Sequence, residues 1–203
     1  MVRDLWSVVA SKSGVFALVL CFVPLGAGAA VGLFSAIAER WHASAELVAA
    51  STGTVGGLAA AAGCLAGGWL SDRMNRKVAY AAAGVVLALG AVAMALLPHT
   101  AFFYGLLTLN YSFASGLCYG AFTGFALEVI GKGAVATKYN ALASLSNLPI
   151  WYMTLLLGWV SARHGATWML LVDAGAGFAG AAALLALLAV FGREASGVAA
   201  AEA

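Results

Sequence analysis

Apolar residues fall in six long blocks along this chain, at roughly 13–38, 45–70, 78–97, 101–127, 137–161 and 167–191. Each is about as long as the ~20-residue helix that crosses the hydrocarbon core of a bilayer. The blocks lack the ten-residue alternation of barrel strands, and only helices or closed barrels satisfy a backbone in lipid. The pattern therefore predicts an all-α membrane protein with six transmembrane helices. Short polar separators divide the blocks: Glu39-Arg40-Trp41-His42, the charged turn at 71–77, Pro98-His99-Thr100, Glu128 to Gly133, and Arg163-His164-Gly165. Residues 1–12 read as an interfacial lead-in with Trp6 at headgroup depth, and 13–191 as the bundle. Residues 192–203, rich in Ala, Gly and Ser, read as a disordered cytoplasmic tail. The first block exceeds a signal-peptide core and is read as a retained helix.

Composition agrees. Hydrophobic residues make up 64% of the 203 and charged ones 9%, which excludes a soluble globular domain. The net charge of +2 comes with no basic cluster long enough for nucleic acid. Its distribution says more. With the N-terminus in the cytoplasm, Arg3, Lys12, Arg73, Arg76, Lys77, Lys132, Lys138 and Arg193 lie inside, and only Arg40 and Arg163 lie outside. The positive-inside rule then favours N-in, C-in and an even number of spans. Cys21, Cys64 and Cys118 all fall within apolar blocks without CxxC spacing, and read as small packing residues. No cofactor or metal site is implied, and the absence of a Walker pattern argues against primary transport.

Small residues crowd the blocks: Gly26, Gly28 and Gly32 in the first, Gly175, Gly177 and Gly180 in the last. In the second, Gly53 with Gly57 and Gly63 with Gly67 form GxxxG pairs, a spacing that lets helix backbones approach closely.

The turn between the second and third blocks carries the most specific pattern. Gly68, Asp72, Arg73, Arg76 and Lys77 follow G-x-x-x-D-R-x-x-R-K, which resembles the signature loop of the major facilitator superfamily. Asn75 departs from the glycine usual there; Asn tolerates the left-handed conformation of a tight turn. Six spans match one half of a facilitator, a bundle built as a 3+3 inverted repeat. The stretches Phe125–Glu128, Ala136–Ser144 and Asn147-Leu148-Pro149 look most like the C-terminal half of the branch containing muropeptide permeases and acetyl-coenzyme A transporters. The resemblance implies a gating network of Gly68, Asp72, Arg73, Arg76, Lys77 and Glu128 that locks the cytoplasmic side, with Arg76–Glu128 as its pair. It also implies that the first and fourth helices of the bundle line a central cavity, while the second and fifth face another bundle.

Two blocks carry polar stripes. Tyr104, Thr108, Tyr111, Ser115, Cys118 and Tyr119 fall within an arc of about 100° on the fourth. Asn140, Ser144, Asn147, Trp151 and Thr154 share one face of the fifth, with Pro149 almost opposite as a kink. Pro24 is placed to break the first span in the same way. Interhelical hydrogen bonding and cavity lining both account for such stripes. Under the second reading, Tyr104, Thr108, Tyr111, Ser115, Tyr119, Asn140, Ser144, Asn147 and Trp151 are substrate-binding candidates for a neutral, polar or sugar-like solute. Asp173 is the only acid clearly inside a span, and serves either as a proton-coupling site or in a satisfied hydrogen bond.

The leading expectation is a half or subunit of a secondary active transporter, ion-coupled and working by alternating access, in a bacterial inner membrane. Its partners would be the lipid bilayer, a small solute, and a second six-helix bundle: a separate chain, a second copy or a missing half. A non-transporting subunit or degenerate fragment remains the alternative. An intramembrane enzyme is remote: Ser115-Gly116 invites comparison with rhomboid proteases, but Phe113 stands where their GxSG has glycine, and His42, His99 and His164 all lie in loops.

Overall fold

In the computed structural model, residues 21–130 and 134–201 are described, with side chains to residue 189. The expected lead-in, the start of the first span, and the Gly131–Gly133 separator with Lys132 lie outside the described residues. Among the described residues all regular structure is helical. Five helices are long and apolar enough to cross a membrane: α1 (Ala45–Arg73), α2 (Arg76–Leu96), α3 (Ala101–Ile130), α4 (Val135–His164) and α5 (Ala166–Ala201, spanning over Ala166–Ala189). They correspond to the second through sixth blocks. α5 stays helical through positions whose composition reads as a tail.

The first block departs from a continuous helix. After Cys21 and Phe22 the chain unwinds over residues 23–28, then winds through the 3₁₀ turn Ala29–Leu33, one α turn at Phe34–Ile37 and a second 3₁₀ turn at Ala38–Trp41. The local cause is legible: proline supplies no N–H and pushes the residue before it out of helical geometry. Gly26 (φ +69°) and Gly28 (φ +62°) then take the left-handed conformation that glycine adopts without steric cost.

Unwound backbone at membrane depth needs internal partners. Tyrosines meet the Leu25 carbonyl inside the unwound stretch and those of Phe22 and Phe34 on the helical turns that flank it. Tyr80 of α2 donates to the Leu25 carbonyl at 2.6 Å, Tyr152 of α4 to Phe22 at 2.7 Å, and Tyr104 of α3 to Phe34 at 3.2 Å.

Helix ends follow local chemistry. Ser44 caps α1 through Oγ, accepting from the Leu47 N–H. Asn75 caps α2, its Oδ1 accepting from the N–H groups of Lys77 and Val78 at 3.0 and 3.4 Å. Its φ of −57° corrects the expectation of a left-handed turn residue: asparagine stands there as a cap. α1 widens at Ala50–Thr54, where Ser51 and Thr52 bond back to the Leu47 and Val48 carbonyls and Gly53 leaves helical geometry. α4 bends at Ser146, between Val135–Leu145 and Asn147–His164. Pro149 explains the position, because it cannot donate to the Leu145 carbonyl and its ring crowds that turn.

α3 is the centre of the bundle, with α1 on one side and α2 on the other; α5 packs on α2, and α4 on α5. In lipid, association rests on close packing and polar contacts rather than on apolar burial. The α1–α3 seam shows this. A Cβ on Gly63 or Gly67 would strike the Phe113 or Leu117 carbonyl, and one on Gly116 or Gly120 would strike Ala60 or Cys64. Two GxxxG pairs thus face each other, backbone to backbone. The Gly53–Gly57 pair has open space beside it and makes no such seam. Most of α2 is buried (61% of its membrane window), whereas α1 (17%) and α4 (22%) leave broad faces uncovered. Those are the two helices that the facilitator resemblance turns toward another bundle.

Candidate functional site

The unwound backbone of residues 23–27 forms one wall of a groove of about 350 Å³, closed by Tyr80 of α2, by Ser115, Cys118, Tyr119 and Phe122 of α3, and by residues 140–150 of α4. This volume lies within the range of small-molecule sites. Polar groups come from Ser115, Tyr119, Asn140, Ser144, Ser146 and Asn147, and among the described residues no lining side chain is charged. Hydroxyls and carboxamides both donate and accept, and tyrosine adds a flat apolar face. Such a surface suits a neutral polar solute and offers no ion pair to a charged one.

The backbone geometry is fitted to this wall. A Cβ on Gly26 would lie 2.9 Å from that of Cys118, and one on Gly28 would lie 2.6 Å from Ser115 Oγ. The positive φ and the close approach both call for glycine at these two positions.

The fourth-block stripe divides in two. Ser115, Cys118 and Tyr119 reach the groove. Tyr104, Thr108 and Tyr111 are fully buried toward the other end of α3 and do not line it. Tyr104 is spent on the Phe34 carbonyl, and Tyr111 donates to Asp173 Oδ2 at 2.6 Å. Thr108 Oγ1 is buried without a hydrogen-bond partner among the described residues. On the fifth-block stripe, Asn140, Ser144 and Asn147 meet in the groove across the Ser146 bend. Asn147 also donates from Nδ2 to the Ala143 carbonyl at 2.9 Å. Trp151, one turn on, lies outside the groove and is 64% exposed. Thr154 turns back on the Ile150 carbonyl.

Asp173 is buried on α5, eight residues into the helix, held by the Tyr111 phenol. This is the interhelical hydrogen bond weighed against a coupling role, and it joins α5 to α3.

At the other end of the bundle the charged turn meets α3. Arg76 Nε lies 3.9 Å from Glu128 Oε2, and its Nη1 donates to the Gly124 carbonyl at 3.3 Å. The side chains are 37% and 47% exposed, so the pair is worth under ~1 kcal/mol, enough to bias two conformations and too little to hold a fold. Arg73 lies over the Trp69 ring at 4.8 Å, Asp72 is exposed, and Lys77 is half-buried at the start of α2. Gly68 keeps its α carbon open to space while Gly120 approaches its backbone N. Lys138 is buried with Nζ donating to the Ile130 carbonyl at 3.2 Å, a cation at the C-terminus of α3. Trp41 against His99 (4.5 Å) and Arg40 beside Gly165 mark the opposite end. Among the described residues, Arg73, Arg76, Lys77 and Lys138 thus share one end, while Arg40 and Arg163 share the other.

Sequence reasoning did not single out Tyr80, Phe122 or the unwound backbone itself as lining. The signal was present in Pro24-Leu25-Gly26-Ala27-Gly28, whose glycines read as packing residues. No group of three or more His, Cys, Asp or Glu side chains among the described residues is placed to hold a metal ion. No family model matches the chain, and no curated protein matches it significantly.

Proposed function

We propose that this chain is one bundle of a secondary active transporter of the facilitator type, which moves a small, uncharged polar solute across a membrane by alternating access. The observation that carries the reading is the charge-free polar groove built against a broken helix. Discontinuous helices are where transporters place substrates, because unwound backbone is tolerated in lipid only beside protein or a cavity. The uncovered faces of α1 and α4 support a second bundle as the missing wall. The Arg76–Glu128 pair, weak and at the end richer in cations, has the strength expected of a contact that forms in one state and breaks in the other. That end would face the cytoplasm of a bacterium, with Asp173 supplying proton coupling.

An enzyme is less well supported. Ser115 lies fourteen residues, about 20 Å, along α3 from the end where His99 packs on Trp41.

The test is binding and uptake of neutral sugars and sugar conjugates by the chain in liposomes, alone and with co-purifying membrane chains. Saturable uptake that Asn147→Leu weakens supports the reading. Binding or uptake indifferent to Asn140, Ser144 and Asn147 would sink it.

A further inference from the structure

Asn110 belongs neither to the solute groove nor to the charged end of the bundle. It precedes Tyr119 by nine residues on α3, which at ~100° per residue puts it on the opposite side of that helix. It is exposed and has no hydrogen-bond partner among the described residues. Counted from Ala101 it sits about 14 Å along a helix of 30 residues, which places it inside the ~30 Å hydrocarbon core when the helix is centred in the bilayer. A bare carboxamide there is expensive.

Asn110 lines a second groove, of about 390 Å³, between α2 and α3. Buried Gly90 forms part of its floor, and a Cβ there would come within 3.3 Å of Asn110 Oδ1. Leu89 and Leu106 stand beside it, each about half exposed.

We propose that this groove is the seam of a two-fold dimer of the chain, in which the Asn110 carboxamides of two copies hydrogen-bond to each other. A carboxamide both donates and accepts, so two of them facing across a two-fold axis exchange N–H···O bonds in both directions. Copies inserted in the same orientation and related by an axis along the membrane normal carry Asn110 at equal depth. A second copy is therefore sure to present the matching group. Leu89 and Leu106, exposed beside Asn110, give each copy apolar side chains to pack across such an isologous interface. The seam is on the far side of α3 from the solute groove, so pairing leaves that groove open and the two proposals fail separately.

The test labels the full chain with donor and acceptor fluorophores and follows energy transfer in liposomes as protein is diluted into lipid. Asn110→Leu should weaken the dimer about three- to thirty-fold, and Asn110→Gln should keep it. Gly90→Leu should abolish it by filling the floor. An unchanged thermal unfolding midpoint of each variant in detergent separates lost pairing from lost folding of the bundle. Asn110→Cys in a Cys64→Ala background should give a disulfide-linked dimer in membranes. Three results would overturn the proposal: a monomer at every dilution, a dimer indifferent to all of the substitutions, or cross-linking of the Asn110→Cys variant to a different chain or to none.

Discussion

The Tyr80 hydroxyl donates to the Leu25 carbonyl across 2.6 Å, fastening α2 to the unwound stretch that walls the solute groove. Both partners are buried, so removing the hydroxyl strands a carbonyl in a dry interior. We predict that Tyr80→Phe lowers stability by ~1–3 kcal/mol. Tyr152→Phe, whose bond to Phe22 is exposed, should lower it less. Thermal unfolding in detergent measures both; equal losses would mean that burial does not set the cost.

In the solute groove, Asn147→Leu and Asn140→Leu should weaken solute binding at least tenfold while leaving helix content unchanged. Trp151→Leu should leave binding as it was, since Trp151 lies beyond the groove. Titration of the purified chain with the solute distinguishes the three. A loss centred on Trp151 would move the site outward along α4.

At the charged end, Arg76→Ala, Glu128→Gln and Asp72→Asn should each slow uptake without impairing insertion. Because Arg76 faces Glu128 at 3.9 Å, the exchange Arg76→Glu with Glu128→Arg should recover part of the rate. Normal uptake in the single variants would reduce the turn to a topological marker.

Glycine substitutions should separate sharply between the α1–α3 seam and the open face of α1. Gly63→Leu and Gly120→Leu drive side chains into the opposing backbone and should prevent assembly of the bundle. Gly57→Leu meets open space and should be tolerated to within the ~1 kcal/mol scale of helix propensity. Yields of folded protein by size-exclusion chromatography would show it.

Asp173→Asn keeps an acceptor for the Tyr111 phenol but cannot cycle a proton. The expected outcome is a folded protein that exchanges solute down its gradient and no longer accumulates it. Accumulation unchanged in Asp173→Asn would leave the residue with its structural bond alone.

The five long helices were legible because membrane spans announce themselves by length and apolarity, and the charged turn because its residues lie next to one another. The Arg76–Glu128 pair was legible too, through the resemblance. Residues whose partners lie far along the chain were not. Nothing local in Tyr104 and Tyr111 distinguishes them from Tyr119, yet two are buried in interhelical bonds and the third opens on the groove. The glycines of the first block advertised packing, whereas Gly26 and Gly28 provide positive φ beside Cys118 and Ser115. Gly116 and Gly120 became a seam only when Gly63 and Gly67 were seen opposite. Asn110 fell outside both stripes, and only the fold shows the groove it lines.

The broken first segment bears on how the protein is made. Its carbonyls at Leu25, Phe34 and Phe22 bond to tyrosines that lie 55, 70 and 130 residues downstream. A ribosome delivers the segment to the membrane long before those hydroxyls exist, so the stretch enters lipid or the insertion machinery with its polar backbone unmet. We predict that nascent chains arrested before Tyr80 leave a Leu25→Cys site accessible to a cysteine reagent, and that the full-length chain, in which Leu25 is buried, protects it. Equal labelling at both lengths would refute the order. The part of this protein synthesised early is then among the last to be finished, and its biogenesis runs in the reverse of its sequence.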